Sequence, residues 1–167
     1  MPNFVKFKYN LSSYPKLEDY MNSLQGRWSH SLGFDFMPIP DNLWKNDYFL
    51  WDIKTKFNGK TVFLRMNANT IYNWHTDLYR NVVINAIIEG FDSFTIFTEK
   101  NHEDYIGTSM PVQELTYNPE ECCLLNTTIR HAVYNRSSRR TVFSLWFGSK
   151  VFYEDVYQYA KSMAYIL

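Results

Sequence analysis

Several things that would decide the class of this chain at once are scarce or missing. There are only two cysteines, Cys122 and Cys123, and they are neighbours. Adjacent residues of an extended chain point to opposite faces, so no ordinary disulfide can join them. Core packing in a reducing, cytoplasmic setting is the expectation for both thiols. An excess of one charge is also lacking, because 17 Lys and Arg balance 17 Asp and Glu. Without a basic block to neutralise phosphates, a nucleic-acid partner is not expected. No apolar run approaches the roughly 20 residues of a membrane span, so no membrane partner is expected. The opening MPNFVKFKYN lacks the apolar stretch of a signal peptide. Alanine, the best helix former, is scarce, and there is no internal repeat.

Aromatic residues are abundant: 5 Trp, 13 Tyr and 13 Phe among 167 residues. Aromatic side chains suit pleated surfaces, so the composition leans towards β structure. The length fits one domain, and 46% apolar residues are enough to bury a core. Val5, Phe7 and Tyr9 alternate with Lys6 and Lys8, the pattern of a half-buried edge strand. After Pro15, Leu17, Tyr20, Met21 and Leu24 recur at helical spacing and predict a helix that ends at Gly26. Residues 29–46 contain Pro38 and Pro40 and read as a covering loop. Tyr48–Phe57 and Lys60–Asn67 flank Asn58-Gly59, a pair that suits a type I′ hairpin turn. Short strand-like runs follow near 70–76, 81–88, 93–98, 112–117, 121–125, 130–135 and 141–148, with a polar loop at Glu99–Thr108. Val151–Leu167 puts Phe152, Val156, Tyr159, Ala160, Met163 and Leu167 on one stripe, which predicts a C-terminal helix packed on a sheet. Many short strands separated by turns mean a sandwich, a jelly roll or a barrel.

The histidines are few: His30, His75, His102 and His131. His75 and Asp77 stand at i and i+2 where one predicted strand ends, so both can reach one metal ion. Such a pair arises by chance in roughly one chain in five of this composition, and His102-Glu103-Asp104 is a rival. His131 lies in another strand-like run, and two histidines with one carboxylate form the facial ligand set of a non-haem Fe(II) centre. Five short strands with their connections need on the order of 50 residues, which suits the interval from Asp77 to His131 but not that from His102. Arg140 begins the next apolar strand. A guanidinium inside a barrel needs an anion, and its planar fork suits the carboxylate of a small dicarboxylate. Arg139 is an alternative for that role, because both faces of Thr141–Phe147 are apolar and strand parity does not choose.

Together, His75-Thr76-Asp77, His131 and Arg140 resemble the iron(II)/2-oxoglutarate-dependent oxygenases. Within that superfamily, Glu121-Cys122-Cys123-Leu124-Leu125-Asn126 followed by Arg130-His131-Ala132-Val133-Tyr134-Asn135 is similar to the distal half of the aspartyl/asparaginyl β-hydroxylase branch. The resemblance covers about residues 60–148. It implies a mainly β fold, a double-stranded β-helix of the jelly-roll, cupin-like kind. The expected organisation is a single domain over 1–167, with 1–59 flanking and covering, 60–148 the jelly-roll core and 151–167 the C-terminal helix. It also implies Fe(II) held by the catalytic residues His75, Asp77 and His131, and 2-oxoglutarate as co-substrate gripped at its far carboxylate by Arg140. Asn85, on the strand after the motif, could donate to that co-substrate. The implied activity is a dioxygenase that hydroxylates a small molecule or an amino-acid or peptidyl substrate while 2-oxoglutarate is oxidatively decarboxylated to succinate. Where the branch carries arginines beyond the first histidine, this chain has Asn85, which argues against a peptidyl aspartate. Trp74, Tyr79 and Arg80 flank the motif; Arg80 could grip a substrate carboxylate or be an ordinary solvated loop residue. Two other functions fit the same barrel: a cupin-type isomerase or epimerase using its metal as a Lewis acid, and a non-enzymatic metal- or ligand-binding jelly roll.

Overall fold

A computed structural model describes residues 1–23, 28–31, 33–99 and 111–167. In chain order the elements are β1 (Phe4–Asn10), α1 (Tyr14–Ser23), β2 (Ser29–Ser31), β3 (Phe34–Pro38), a 3-10 turn (Asp41–Leu43), α2 (Tyr48–Phe57), β4 (Lys60–Met66) and β5 (Thr70–His75). They continue with β6 (Val82–Glu89), β7 (Phe94–Thr98), β8 (Val112–Thr116), β9 (Glu121–Asn126), β10 (His131–Asn135), β11 (Arg140–Trp146) and α3 (Tyr153–Ser162). The strands form two sheets, ordered β1-β9-β6-β11-β4-β3-β2 and β5-β10-β7-β8. Neighbouring strands run antiparallel. This is the mainly β jelly roll, a double-stranded β-helix, that the strand pattern and the resemblance imply.

The long runs of β6 and β11 are apolar on both faces because both faces are covered. Ile84, Ala86 and Ile88 of β6, with Phe143 and Leu145 of β11, join Leu17, Leu50, Ile53, Val156 and Ala160 of the three helices in one core. Val83 and Ile87 of β6 and Val142 of β11 face the other way and pack with Phe97 and Leu115 of the smaller sheet. Cys122 belongs to the helix-side core and Cys123 to the core between the sheets, as opposite pointing on a strand requires. Both thiols are free, and burial pushes both pKa values up, that of Cys123 to about 12.

Three expectations are corrected. Tyr48–Phe57 is the helix α2 and not the first arm of a hairpin. Phe49, Leu50 and Ile53 are its buried side chains, a helical spacing, and Asn58 takes the left-handed φ of 52° that ends the helix while the Gly59 amide donates to the Lys54 carbonyl at 2.9 Å. Asn-Gly supplies positive φ, and a helix C-terminus uses that as readily as a hairpin does. Residues 29–46 are not a plain covering loop, because β2 and β3 extend the larger sheet with Asp35 opposite Arg65 and Met37 opposite Phe63. The prolines that suggested a loop stand at and beyond the end of β3. The C-terminal helix is present, but its buried face is Tyr153, Val156 and Ala160. Phe152 and Met163 are exposed, and beyond the helix Lys8 donates to the Tyr165 carbonyl, so the chain end returns to β1. The expected helix end at Gly26 and all but the first residue of the Glu99–Thr108 loop lie outside the described residues.

One glycine positions functional groups. Gly90 ends β6 with φ of 87°, and a Cβ there would stand 2.5 Å from the Arg139 carbonyl oxygen and 2.8 Å from the Arg140 Cα. Ser93 caps the same turn, donating from its amide and its hydroxyl to the Gly90 carbonyl. Gly90→Ala is therefore expected to destabilise the fold by roughly 1–3 kcal/mol, since φ strain and a backbone clash add. Gly33→Ala is the control, because Gly33 has φ of 81° but nothing within 4 Å of its Cβ position. Equal urea midpoints for the two variants would show that the Gly90 contact contributes nothing.

Candidate metal centre and anion pocket

The two sheets enclose a cavity that opens at the end of β5. His75 closes β5, and His131 opens β10 directly opposite it in the ladder. Asp77 lies just beyond the end of β5. Their ligand-type atoms lie within 4.8 Å of one another, and among the described residues no other group of three or more such side chains is gathered in this way. His75 Nε2 and Asp77 Oδ1 are 3.5 Å apart. Each imidazole is oriented by its own strand: Nδ1 of His75 bonds the Asn73 carbonyl at 2.7 Å, and Nδ1 of His131 bonds the Ile129 carbonyl at 2.9 Å. A carbonyl accepts only, so the Nδ1 of each ring is a protonated nitrogen, and the Nε2 of each is left to face the cavity. Burial, and then the nearby His75, lower the His131 pKa to about 4, so this ring is neutral at neutral pH. Burial would raise the pKa of Asp77, but its hydrogen bond to His75 and the guanidinium of Arg80 outweigh it, leaving the carboxyl below the usual range. Two imidazoles and a carboxylate, with their ligand atoms converging, suit a divalent metal.

Aromatic rings brace this cluster from both sides. Phe34 meets Tyr72 at 4.4 Å between centroids, Tyr72 meets His75 at 4.1 Å, and His75 meets His131 at 4.2 Å. Phe97 stacks on the far side of His131 at 5.5 Å.

Arg140 lies at the inner end of the same cavity. It is 4% exposed, its Nε donates to Ser93 Oγ at 3.1 Å, and it bonds the Tyr117 hydroxyl. Tyr117 in turn shares a hydrogen bond of 2.9 Å with Thr95. No carboxylate pairs with Arg140 among the described residues, and burial pulls its pKa down. Arg139 points outward and holds Glu89 through two bonds of 3.0 Å, so it does not reach the cavity. Asn85 and Ser144 are ladder partners on the wall of the larger sheet that lines the cavity. The Oδ1 of one and the Oγ of the other are buried and have no hydrogen-bond partner among the described residues. Thr95 stands opposite Val133, one inward step of β10 from His131, which sets the Tyr117 end about 7 Å from the histidines along the strand. Leu64, Val83, Leu125, Val133 and Val142 supply apolar walls between the two ends.

The structure thus brings His75, Asp77, His131, Asn85 and Arg140 to one cavity. His102, in the rival triplet, lies outside the described residues, and His30 pairs with Asp35 on the surface. Sequence reasoning gave Arg80 no part at the metal ligands, yet its Nη2 is 3.0 Å from Asp77 Oδ2. It also named neither Tyr117 nor Ser93, which reach Arg140 from separate strand ends and carry no local signal.

Solved structures resemble this arrangement of sheets. A prolyl hydroxylase from Trichoplax adhaerens, in complex with a hypoxia inducible factor peptide fragment, superposes with a TM-score of 0.62 over 89% of this chain and 84% of its own, at 13% identity. The chain has the double-stranded β-helix fold. A Pseudomonas putida prolyl-4-hydroxylase matches with a TM-score of 0.58 over 87% of this chain and 92% of its own, at 9% identity. HygX from Streptomyces hygroscopicus, bound to nickel, 2-oxoglutarate and hygromycin B, matches with a TM-score of 0.59 over 87% of this chain and 83% of its own, at 10% identity. No protein-family model and no curated protein matches the chain.

Replacing either histidine should cost more than the roughly 10–100-fold in metal affinity that loss of an outer partner costs. Calorimetric titration of His75→Ala and His131→Ala with Mn(II) checks this. A variant that binds as tightly as the parent removes that residue from the centre.

Proposed function

We propose that the protein is an Fe(II)/2-oxoglutarate-dependent oxygenase, a hydroxylase of a small molecule or of an amino-acid or peptidyl substrate. One observation carries it: a buried guanidinium with no carboxylate partner among the described residues stands at the inner end of a cavity whose outer end gathers two imidazoles and a carboxylate. Isolated buried charges are costly, so Arg140 is best accounted for by an anionic ligand. A short dicarboxylate fits: one carboxylate meets the fork of Arg140 beside Tyr117, and the other end reaches the metal ligands.

In this proposal His75, Asp77 and His131 would hold the iron, two imidazoles and one carboxylate being the ligand set of a non-haem Fe(II) centre. Bound iron and 2-oxoglutarate supply the oxygen activation and C–H oxidation, with carbon dioxide and succinate as co-products. The chain's own residues do the placing. The Nδ1 bonds to Asn73 and Ile129 keep both Nε2 atoms turned inward. Arg140 fixes the depth of the co-substrate, and the apolar walls keep water from its middle. Asn85 and Ser144 line the same cavity, and the Asn85 side-chain amide is the further donor we assign to the co-substrate.

The isomerase alternative would use the three ligands but gives Arg140 no task, and a metal-free binding barrel gives the converging Nε2 atoms none. Solved proteins of this fold hold a peptide in one case and hygromycin B in another, so both substrate classes stay within the proposal. The aspartyl/asparaginyl branch rests on Glu121–Asn126 followed by Arg130–Asn135, and the first of these runs is packed strand with Glu121 bonded to Lys6 at 2.6 Å. The free, buried thiols suit the reducing, cytoplasmic setting we propose.

The test is anaerobic addition of Fe(II) and then 2-oxoglutarate, followed by the weak visible charge-transfer band of the chelate. Arg140→Lys keeps the charge but loses the fork, and should need at least roughly tenfold more 2-oxoglutarate, the worth of one charge-assisted hydrogen bond. Bound iron without any band would move the isomerase reading to the front.

A further inference from the structure

The two oxygens of Asp77 are held by different partners. Oδ1 faces His75 Nε2 at 3.5 Å, on the side where the ligand atoms converge, whereas Oδ2 accepts from Arg80 Nη2 at 3.0 Å. Asp77 is largely enclosed, while Arg80 is 30% exposed at the cavity mouth. The turn carrying both residues is tied to one side chain and its backbone. Asp77 donates its amide to the Thr127 carbonyl at 3.0 Å, the Thr127 amide donates to the Asn81 carbonyl at 3.2 Å, and the Thr127 hydroxyl donates to the Arg80 carbonyl. Thr127 is 2% exposed and directly follows β9, so the whole turn is registered on the larger sheet.

We propose that Arg80 is a positioning residue that keeps Asp77 a one-oxygen ligand, and that Thr127 holds Arg80 in place to do so. The role rests on the metal site proposed above. A carboxylate with both oxygens free can swing to grip a metal twice, and the second contact takes a position that a co-substrate needs. A guanidinium bonded to Oδ2 makes that swing costly, because the charge-assisted bond must break first. The hydroxyl bond to the Arg80 carbonyl stops the turn from following the carboxylate. This is outer-partner control of a ligand, applied to the carboxylate as the Asn73 and Ile129 carbonyls apply it to the histidines.

A simpler role predicts the opposite sign. If Arg80 only neutralises Asp77 when no metal is present, it competes with the metal, and removing it should tighten binding. Co(II) separates the two, since its visible bands report coordination number as well as affinity. Under the proposal, Arg80→Ala weakens Co(II) binding by roughly 10–100-fold and alters the band intensities. Arg80→Lys, which keeps one donor and the charge, recovers part of both. Thr127→Val removes the hydroxyl but keeps the backbone bonds, and should shift the bands in the same direction by less. Thermal melting without metal checks that each variant folds. Unchanged or tighter Co(II) binding with an unchanged spectrum in Arg80→Ala overturns the positioning role while leaving the metal site standing. Failure of the unaltered protein to bind Co(II) overturns the metal site and this role with it.

Discussion

The pairing of β10 with β5 places His131 opposite His75, and the candidate centre depends on that register. A strand that slips by one residue turns every side chain to the other face, so the two imidazoles converge only in this alignment. On one side β7 sets Phe97 opposite His131 and Thr95 opposite Val133. On the other, Tyr134 and Asn135 pair with Ile71 and Thr70, and an irregularity in the ladder between Val133 and His131 shifts the register so that His75 meets His131. The rings of Tyr72 and Phe97 then fill the space beside the histidines, so the pair cannot rotate without opening voids in the packing.

The second demand on the fold is a charge in its interior. Arg140 stands at the first position of β11 with Val142 and Ser144 facing the same cavity, and burying it carries a desolvation cost that neutral partners only partly offset. Ser93 and Tyr117 occupy part of its donor set, and the tight turn at Gly90 brings Ser93 to it. A fold that stabilised itself alone would be served as well by an apolar residue here. The cost is understandable where a ligand supplies the missing charge, as in the function proposed.

Much of the frame is legible in the sequence because it is local. The short runs from residue 70 onward fall where strands are found, and His75 with Asp77 announces itself by spacing. What is illegible depends on partners far along the chain. Tyr48–Phe57 carries a helical spacing of buried residues, but Asn58-Gly59 speaks equally for a hairpin and a helix end. Parity could not choose between Arg139 and Arg140, since β11 is central in its sheet and covered on both faces. Arg80 looks like a loop arginine until Thr127, on the far side of four intervening elements, is seen to hold its turn. The run Glu121–Asn126 resembles a family motif, yet its cysteines have an adequate explanation in packing on opposite sides of β9.

The two-sided burial of the larger sheet has a further consequence. Along β6 and β11, successive residues report to different compartments: Ile84, Ala86, Phe143 and Leu145 to the helices, Val83, Asn85, Val142 and Ser144 to the cavity. The same strands therefore carry two nearly independent messages, interleaved letter by letter. Divergence in one register can reshape what the cavity accepts while the other goes on holding the helices in place, so a lineage can change its chemistry without first having to refound its architecture.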